Sequence, residues 1–134
     1  MTPSEELQEF ITAQLRASAE LTALVGTGIY DNVPDNAAYP YVSYGPSDFT
    51  PDDADCVAGR VVGFQIDCWS QAQGAKVEAK KICEAIYTAV HNVSGNLTAH
   101  ALVSMEVVRV RVFPDQNPLV IHGVVQVEAM LEQN

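Results

Sequence analysis

Basic residues are scarce in this sequence of 134 residues. It has seven Lys and Arg against seventeen Asp and Glu, which gives a net charge of −10. No Lys or Arg lies between Arg16 and Arg60, although that interval has six aspartates. Because proteins that grip DNA neutralise its phosphates with Lys and Arg, the composition argues against a DNA-wrapping or DNA-gripping function. Solubility is one explanation of the acidic excess, and repulsion of DNA is another.

Cysteines and long apolar runs are also few. The three cysteines, Cys56, Cys68 and Cys83, lack CxxC spacing. This pattern favours reduced, buried thiols over a disulfide framework or a zinc site. No window approaches the roughly 18 apolar residues of a membrane span. The first six residues include acids where a secretory signal has basic residues. We therefore expect a protein without membrane contact that stays in the cytoplasm.

Motifs of catalysis, nucleotide binding and metal binding are absent from the sequence. It has no GxSxG, dinucleotide-binding or Walker pattern. An acidic cluster begins at Asp48, but the EF-hand positions for Gly and Glu are Asp53 and Gly59 here. The histidines lack the spacing by which one segment presents two metal ligands, so we expect isolated surface side chains. They are His91, His100 and His122. The sequence thus predicts no enzyme, no metal and no cofactor.

The spacing of apolar residues predicts three helices. In the first, Leu7, Ile11 and Leu15 recur at helical spacing, and Ser4 is the expected cap of the free amides. A short second helix is expected after Ser18, ending at the glycines at 26 and 28. The longest helix follows position 74 and ends near 92. Its predicted apolar face consists of Ala75, Ala79, Ile82, Ile86, Ala89, Val90 and Val93.

Strand-forming runs lie between and after these helices. Two short strands are expected at 29–33 and 41–44, followed by a long, exposed acidic loop at about 46–59. The run 60–69 alternates, so that Trp69 has the opposite phase to Val62, Phe64 and Ile66. Two further runs, at 102–113 and 119–131, flank a proline-rich turn. They predict a long antiparallel hairpin.

This order of elements predicts an α+β fold in a single domain over residues 1–134. The expected architecture is a two-layer sandwich, in which an antiparallel or mixed β-sheet has its helices packed on one face. The second face would present Trp69, Gln65, Arg109 and Arg111 rather than a uniform layer of charge. A partner protein can cover such a face.

Three segments indicate a resemblance to a known family. They are IYDNVP at 29–34, PYVSYG at 40–45 and FQIDCWS at 64–70, which precedes the longest helix. Together with the amphipathic start and the closing hairpin, they resemble the tail terminator proteins of long-tailed bacteriophages and gene transfer agents. These are also called tail-completion or minor tail proteins. The resemblance covers nearly the whole chain.

The resemblance implies a structural virion protein without catalytic residues. Its members typically form a hexameric ring that caps the head-proximal end of the tail tube and stops tube polymerisation. The ring also joins the tail to the head-tail connector, or stopper, protein and leaves a channel through which DNA passes without specific binding. The implied partners are therefore other copies of the chain, the tail tube protein and the connector. Assembly would occur in the host cytoplasm, and the ring would lie in the neck region of the virion tail.

Large aromatic and arginine side chains are the candidates for contacts in such a ring. They are Tyr39, Tyr41, Tyr44, Trp69, Arg109 and Arg111. Core packing is an equal alternative for the tyrosines, and a solvated sheet face is an alternative for the arginines.

The acidic loop has two predicted uses in such a ring. Its aspartates would either face the channel and repel DNA, or dock on the tube or the connector. They are Asp48, Asp52, Asp53 and Asp55. Two other functions stay open for the chain as a whole. One is a head-side neck protein, and the other is a small monomeric module that binds a ligand or a protein.

Overall fold

The computed structural model describes residues 1–133, which include three α-helices. Helix α1 spans Pro3–Ala17, α2 spans Ala19–Val25 and α3 spans Val77–Val90. A short 3-10 helix at Ala72–Gly74 precedes α3. The three predicted helices are thereby confirmed. Helix α3 begins later than expected, because the backbone turns at Gly74 with a positive φ of 80°.

The N-terminus of α1 is capped by Thr2 and not by Ser4, so that prediction was wrong. The hydroxyl of Thr2 accepts the Glu5 backbone N–H at 3.2 Å, and the Glu5 carboxylate accepts the Thr2 N–H at 2.6 Å. This reciprocal pair satisfies two amides that the helix leaves unpaired. Pro3 lies in the first turn, where its missing N–H has no cost. Ser18 caps α2 as predicted, since its side chain accepts the Leu21 N–H.

Five strands form one mixed sheet. They are β1 (Ile29–Tyr30), β2 (Tyr41–Pro51), β3 (Gly59–Ser70), β4 (His100–Pro114) and β5 (Ile121–Gln133). Their spatial order is β1-β2-β3-β5-β4. Strand β1 pairs with β2 in parallel, and every other neighbouring pair is antiparallel. The predicted C-terminal hairpin corresponds to β4 and β5, and the α+β fold is confirmed.

Strand β2 is much longer than predicted, and the acidic loop is correspondingly shorter. The chain pairs with β3 as far as Pro51, beyond an irregularity in register between Tyr44 and Ser47. The connection to β3 is therefore 52–58, and the predicted loop at 46–59 was wrong over its first part. The exposed segment 47–50, between two prolines, lacks an alternating apolar pattern, so no local signal marks it as a strand and it becomes one by pairing with β3.

The core lies between the sheet and the three helices. Alternation in β3 places Val62, Phe64, Ile66 and Cys68 on the helix side, as predicted. The other main core residues are Leu7, Ile11, Leu15, Ile82, Ile86, Val90, Val125, Val127, Ala129 and Leu131. Burying these aliphatic side chains supplies most of the driving force for folding, about 1.5–3 kcal/mol each.

Two of the three cysteines belong to this core. The Sγ atoms of Cys68 and Cys83 lie 3.7 Å apart. Contact with Cys83, together with burial, raises the pKa of the Cys68 thiol. Cys56 is exposed, so the prediction of three buried thiols was wrong for this one. It lies in the 52–58 connection, outside the layers of the fold.

Candidate interaction surface

The sheet leaves the face opposite the helices uncovered within residues 1–133. This open face is defined by the side chains that alternate with the core residues of each strand. Its members include Tyr41, Ser43, Asp48, Thr50, Val61, Gln65, Asp67, Trp69, Ser104, Glu106, Arg109, Arg111, Phe113, His122, Val124, Gln126, Glu128 and Met130. The face is therefore mixed in character, with aromatic residues at one end and carboxylates toward the other.

Trp69 lies on the open face, as its phase predicted. Its indole ring stacks on the His122 imidazole with centroids 3.9 Å apart, and its Nε1–H donates to Ser43 Oγ at 3.0 Å. Phe113 packs against the other side of His122 with centroids 5.0 Å apart. The aromatic group is held by the subunit itself, so it is preorganised for contact with a partner.

A buried carboxylate fixes the histidine of this group. Asp67 is only 5% exposed. One of its oxygens accepts from His122 Nε2 at 2.8 Å and from Gln65 Nε2 at 2.9 Å. Hydrogen bonds of this kind compensate the cost of burying a charged group. The polar network thus holds the aromatic end of the open face rigid.

Two of the three candidate tyrosines lie together, and Tyr44 is separate from them. Tyr41 is on the open face, and its ring lies 5.2 Å from that of the exposed Tyr39 and 6.0 Å from that of Tyr30. Tyr44 is on the helix side, where its hydroxyl hydrogen-bonds with Thr12 Oγ1. Burial raises the pKa of the Tyr44 phenol. Side chains three positions apart on a strand lie on opposite faces, so this separation was readable from the sequence.

Arg109 and Arg111 are exposed on the open face of β4, which is the outermost strand. The guanidinium of Arg111 lies 5.0 Å from the centre of the Phe113 ring. Their side chains form no ion pair within residues 1–133. Positive charge is therefore available along this edge of the sheet.

The four candidate aspartates are exposed but occupy two places. Asp48 lies on β2, opposite Gly63 in the register. Asp52, Asp53 and Asp55 lie in the 52–58 connection at the end of the sheet. A carboxylate oxygen of Asp53 accepts the Gly59 N–H at 3.0 Å, which helps to shape this turn.

The part of the chain that the structure describes offers no arrangement for a metal ion. No group of three or more His, Cys, Asp or Glu side chains is placed to hold one in residues 1–133. Across the same residues, no helix has the length and apolar character needed to span a membrane.

Comparison with known protein families identifies the chain. The model of the family described as "Tail completion protein gp17" matches residues 9–132. The chain belongs to this family. Among solved structures, it is similar to a chain of the "Virion of native gene transfer agent (GTA) particle". The two chains are 30% identical, the match covers 91% of each, and the TM-score is 0.84. Comparison with curated proteins gives no significant match.

Membership of the tail completion family confirms the resemblance that the sequence motifs indicated. The chain is a structural protein of a phage-type virion tail and not an enzyme. Its interaction surfaces, rather than a catalytic pocket, are therefore the features that matter for function.

Sequence reasoning missed the partners of the histidines, which are not isolated surface side chains as predicted. His100 begins β4 and is buried against the carboxylate of Glu6 on α1. His91 Nδ1 accepts the Val107 N–H at 3.0 Å, and His122 binds Asp67. These contacts join distant segments, and no local pattern marks them.

Phe49 was also missed as a candidate for contact. It is half exposed on β2, on the same side of the sheet as the helices. The Arg60 guanidinium lies 4.2 Å from the centre of its ring. The available signal was an aromatic residue in an otherwise polar, exposed segment.

Proposed function

We propose that this tail completion protein forms a ring at the head-proximal end of the tail tube, with the six subunits typical of tail terminators. There the ring stops tube polymerisation and presents a surface to the head-tail connector. A central channel lets DNA pass without specific binding. The family match over residues 9–132 carries this proposal, and the match to a virion component over 91% of the chain supports it.

The surface of the subunit suits such a ring. Ring closure repeats a head-to-tail contact, which needs two different complementary patches on each subunit. The open face offers Trp69, Tyr41 and the two exposed arginines, whereas exposed aspartates lie on and beyond β2. We assign Tyr39, Tyr41, Trp69, Arg109 and Arg111 to contacts with neighbouring subunits or tail proteins. Tyr44 is left out, because its hydroxyl is already bonded inside the subunit.

We assign the acidic connection between β2 and β3, residues 52–58, to a position beside the DNA channel. Asp52, Asp53 and Asp55 are exposed at one end of the sheet, and no basic side chain forms an ion pair with them in residues 1–133. Carboxylates beside a channel repel the phosphates of a passing genome and so prevent binding. Docking of this connection on the tube or the connector is the alternative use.

The mass of the purified protein tests this function. Light scattering over a concentration series, alone and with the tail tube protein, is expected to reveal a ring-sized species in at least one condition. Electron microscopy is then expected to find shorter tubes when the protein is added to polymerising tube protein. A 14.5 kDa monomer that does not bind tube protein would contradict the proposal. Binding to the portal side but not to the tube would instead identify a neck protein.

A further inference from the structure

Both edges of the sheet have a stretch of backbone without a strand partner in residues 1–133. On β4, the Asn92 N–H donates to the Met105 carbonyl, and the Val107 N–H donates to His91, so the edge is covered as far as Val107. The stretch 108–112 is uncovered, since β4 is outermost. On the opposite edge, β1 pairs with β2 only at Val42 and Ser43. This leaves 47–50 uncovered between two prolines.

The directions of these two edges allow one sheet to continue into another. Three successive antiparallel pairings lead from β2 through β3 and β5 to β4, so β4 runs antiparallel to β2. A second copy placed beside the first therefore presents its β2 edge to β4 in antiparallel orientation. Its helices then lie on the same side as those of the first copy. Exposed edges are the usual sites of strand addition by a partner.

Both edges expose apolar side chains on the helix side of the sheet. A groove between α3 and β4 is lined by Tyr87, Val110 and Val112, with Cys83 also in its wall and Lys80 and Glu84 beside it. Val110 lies on the helix side of β4 but is 43% exposed, so the helices leave it partly uncovered. On the other edge, Phe49 is 50% exposed and points to the same side of the sheet. An exposed aromatic ring and an apolar groove are a complementary pair.

The open-face sides of the two edges are complementary in charge. Asp48 is exposed on β2, next in sequence to Phe49 and on the opposite side of the strand. Arg109 and Arg111 are exposed on β4, and they alternate with Val110 and Val112. When one sheet continues into the next, side chains on the open face stay on that face. The Asp48 carboxylate of one copy then lies beside the arginines of the other.

The two uncovered stretches also lie at different heights along the strands. Asp48 is level with Gly63 and Glu128, whereas Arg111 is level with Val124. Pairing them shifts one copy along the strand direction relative to the next. A sheet that closes on itself needs such a stagger. The offset is therefore compatible with ring closure.

We propose that the segment Ser47–Thr50 of one subunit pairs with Val108–Val112 of its neighbour. Phe49 enters the groove between α3 and β4, and Asp48 faces Arg109 and Arg111. The proposal rests on the ring of the proposed function and names the contact by which the ring is built. The flanking Pro46 and Pro51 lack a backbone donor, so they confine the pairing to this short segment.

Two variants, each blocking a different edge, test the contact. Phe49→Asp alters β2 only, and the double variant Arg109→Glu with Arg111→Glu alters β4 only. Each alone is expected to stay monomeric, with the assembly concentration raised by at least about tenfold, as for loss of a buried aromatic anchor. Mixed together, they are expected to form a dimer and nothing larger, because each brings one intact edge. Analytical ultracentrifugation with and without tail tube protein measures these species.

The matched controls change charge or apolar surface at exposed positions in the N-cap and first turns of α3 that do not line the groove. They are Lys76→Glu with Lys81→Glu, and Val77→Asp, and they are expected to assemble like the wild type. The dimer also demonstrates that both variants are folded. If either edge variant alone forms the wild-type species, or if the mixture stays monomeric where the wild type assembles, the contact is overturned. If the wild type itself never assembles, the proposed function fails and not only this contact.

Discussion

The indole ring of Trp69 on β3 stacks on the imidazole of His122 on β5, with centroids 3.9 Å apart and ring planes 13° apart. Asp67 holds the imidazole through Nε2, and Phe113 packs beside it. Four side chains that belong to three strands are thereby locked on the open face. A partner that contacts this group meets a surface whose side-chain entropy has already been lost in folding.

The hydrogen bond between Trp69 and Ser43 is expected to behave as a coupled pair. Ser43 is buried, and its Oγ accepts the indole N–H at 3.0 Å. Ser43→Ala leaves that donor without its acceptor and is expected to lower the free energy of unfolding by about 1–2 kcal/mol. Trp69→Phe removes the donor, and it also destabilises the fold because the smaller ring makes fewer contacts with its neighbours. In urea unfolding, adding Ser43→Ala to Trp69→Phe is expected to cost much less than Ser43→Ala alone. Additive costs would contradict the pairing.

Gly123 on β5 is expected to tolerate no side chain, because the two core thiols fill the adjacent space. A Cβ at this position would lie 2.6 Å from Cys83 Sγ and nearer still to Cys68 Sγ. Gly123→Ala is therefore expected to lower the free energy of unfolding by about 1–3 kcal/mol, the usual cost of an overpacked core. Cys68→Ala removes one of the obstructing atoms. Chemical denaturation of the double variant is expected to show a smaller loss than the sum of the single losses, and a full sum would refute the steric cause.

The strongly periodic parts of the fold were predictable from sequence. Alternation over Val62, Phe64 and Ile66 gave the correct strand and the correct inward side, and it placed Trp69 on the opposite face. Helical spacing likewise identified the buried side of α3. These patterns are local consequences of burying one face, so a single sequence contains them.

The rest depended on strand pairing and side-chain contacts that no local pattern of residues contains. The second half of β2 is polar and exposed, and it becomes a strand only by pairing with β3. The contact between Glu6 and His100 spans 94 positions, and neither residue has a local signal for burial. For the candidate surface, the alternation of side chains along β3 correctly placed Trp69 on the open face. The uncovered edges next to Phe49 and Val110 became visible only once the order of strands was known.

The contact between Glu6 and His100 is expected to make stability depend on pH. In the folded state, the hydrogen bond between Glu6 and His100 lowers the pKa of the Glu6 carboxyl below its ordinary value of 4.5. The stabilisation is therefore fully present above pH 4.5, and it is lost as the pH falls through the lowered value. Glu6→Gln is expected to be less stable than the wild type at pH 6, with the difference shrinking in acid. Thermal unfolding from pH 3 to pH 6 measures this, with Glu9→Gln on the exposed side of α1 as the control. A difference that is constant with pH would contradict the role of the carboxylate.

The acidic connection between β2 and β3 is expected to decide whether an assembled ring retains DNA. Asp52, Asp53 and Asp55 are exposed, so replacing all three with Lys changes the charge by +6 without disturbing the core, although it removes the hydrogen bond from the Gly59 N–H to Asp53. Near the channel, these lysines would bind phosphates, and their binding would weaken steeply with salt. Rings of this variant are expected to retain double-stranded DNA in low-salt pull-down assays, whereas wild-type rings do not. The control has the same charge change at exposed positions outside both the connection and the groove between α3 and β4, with Glu9, Glu20 and Asp35 replaced by Lys. Equal retention by both variants would show that the connection lies away from the DNA path, because net charge alone would then explain binding.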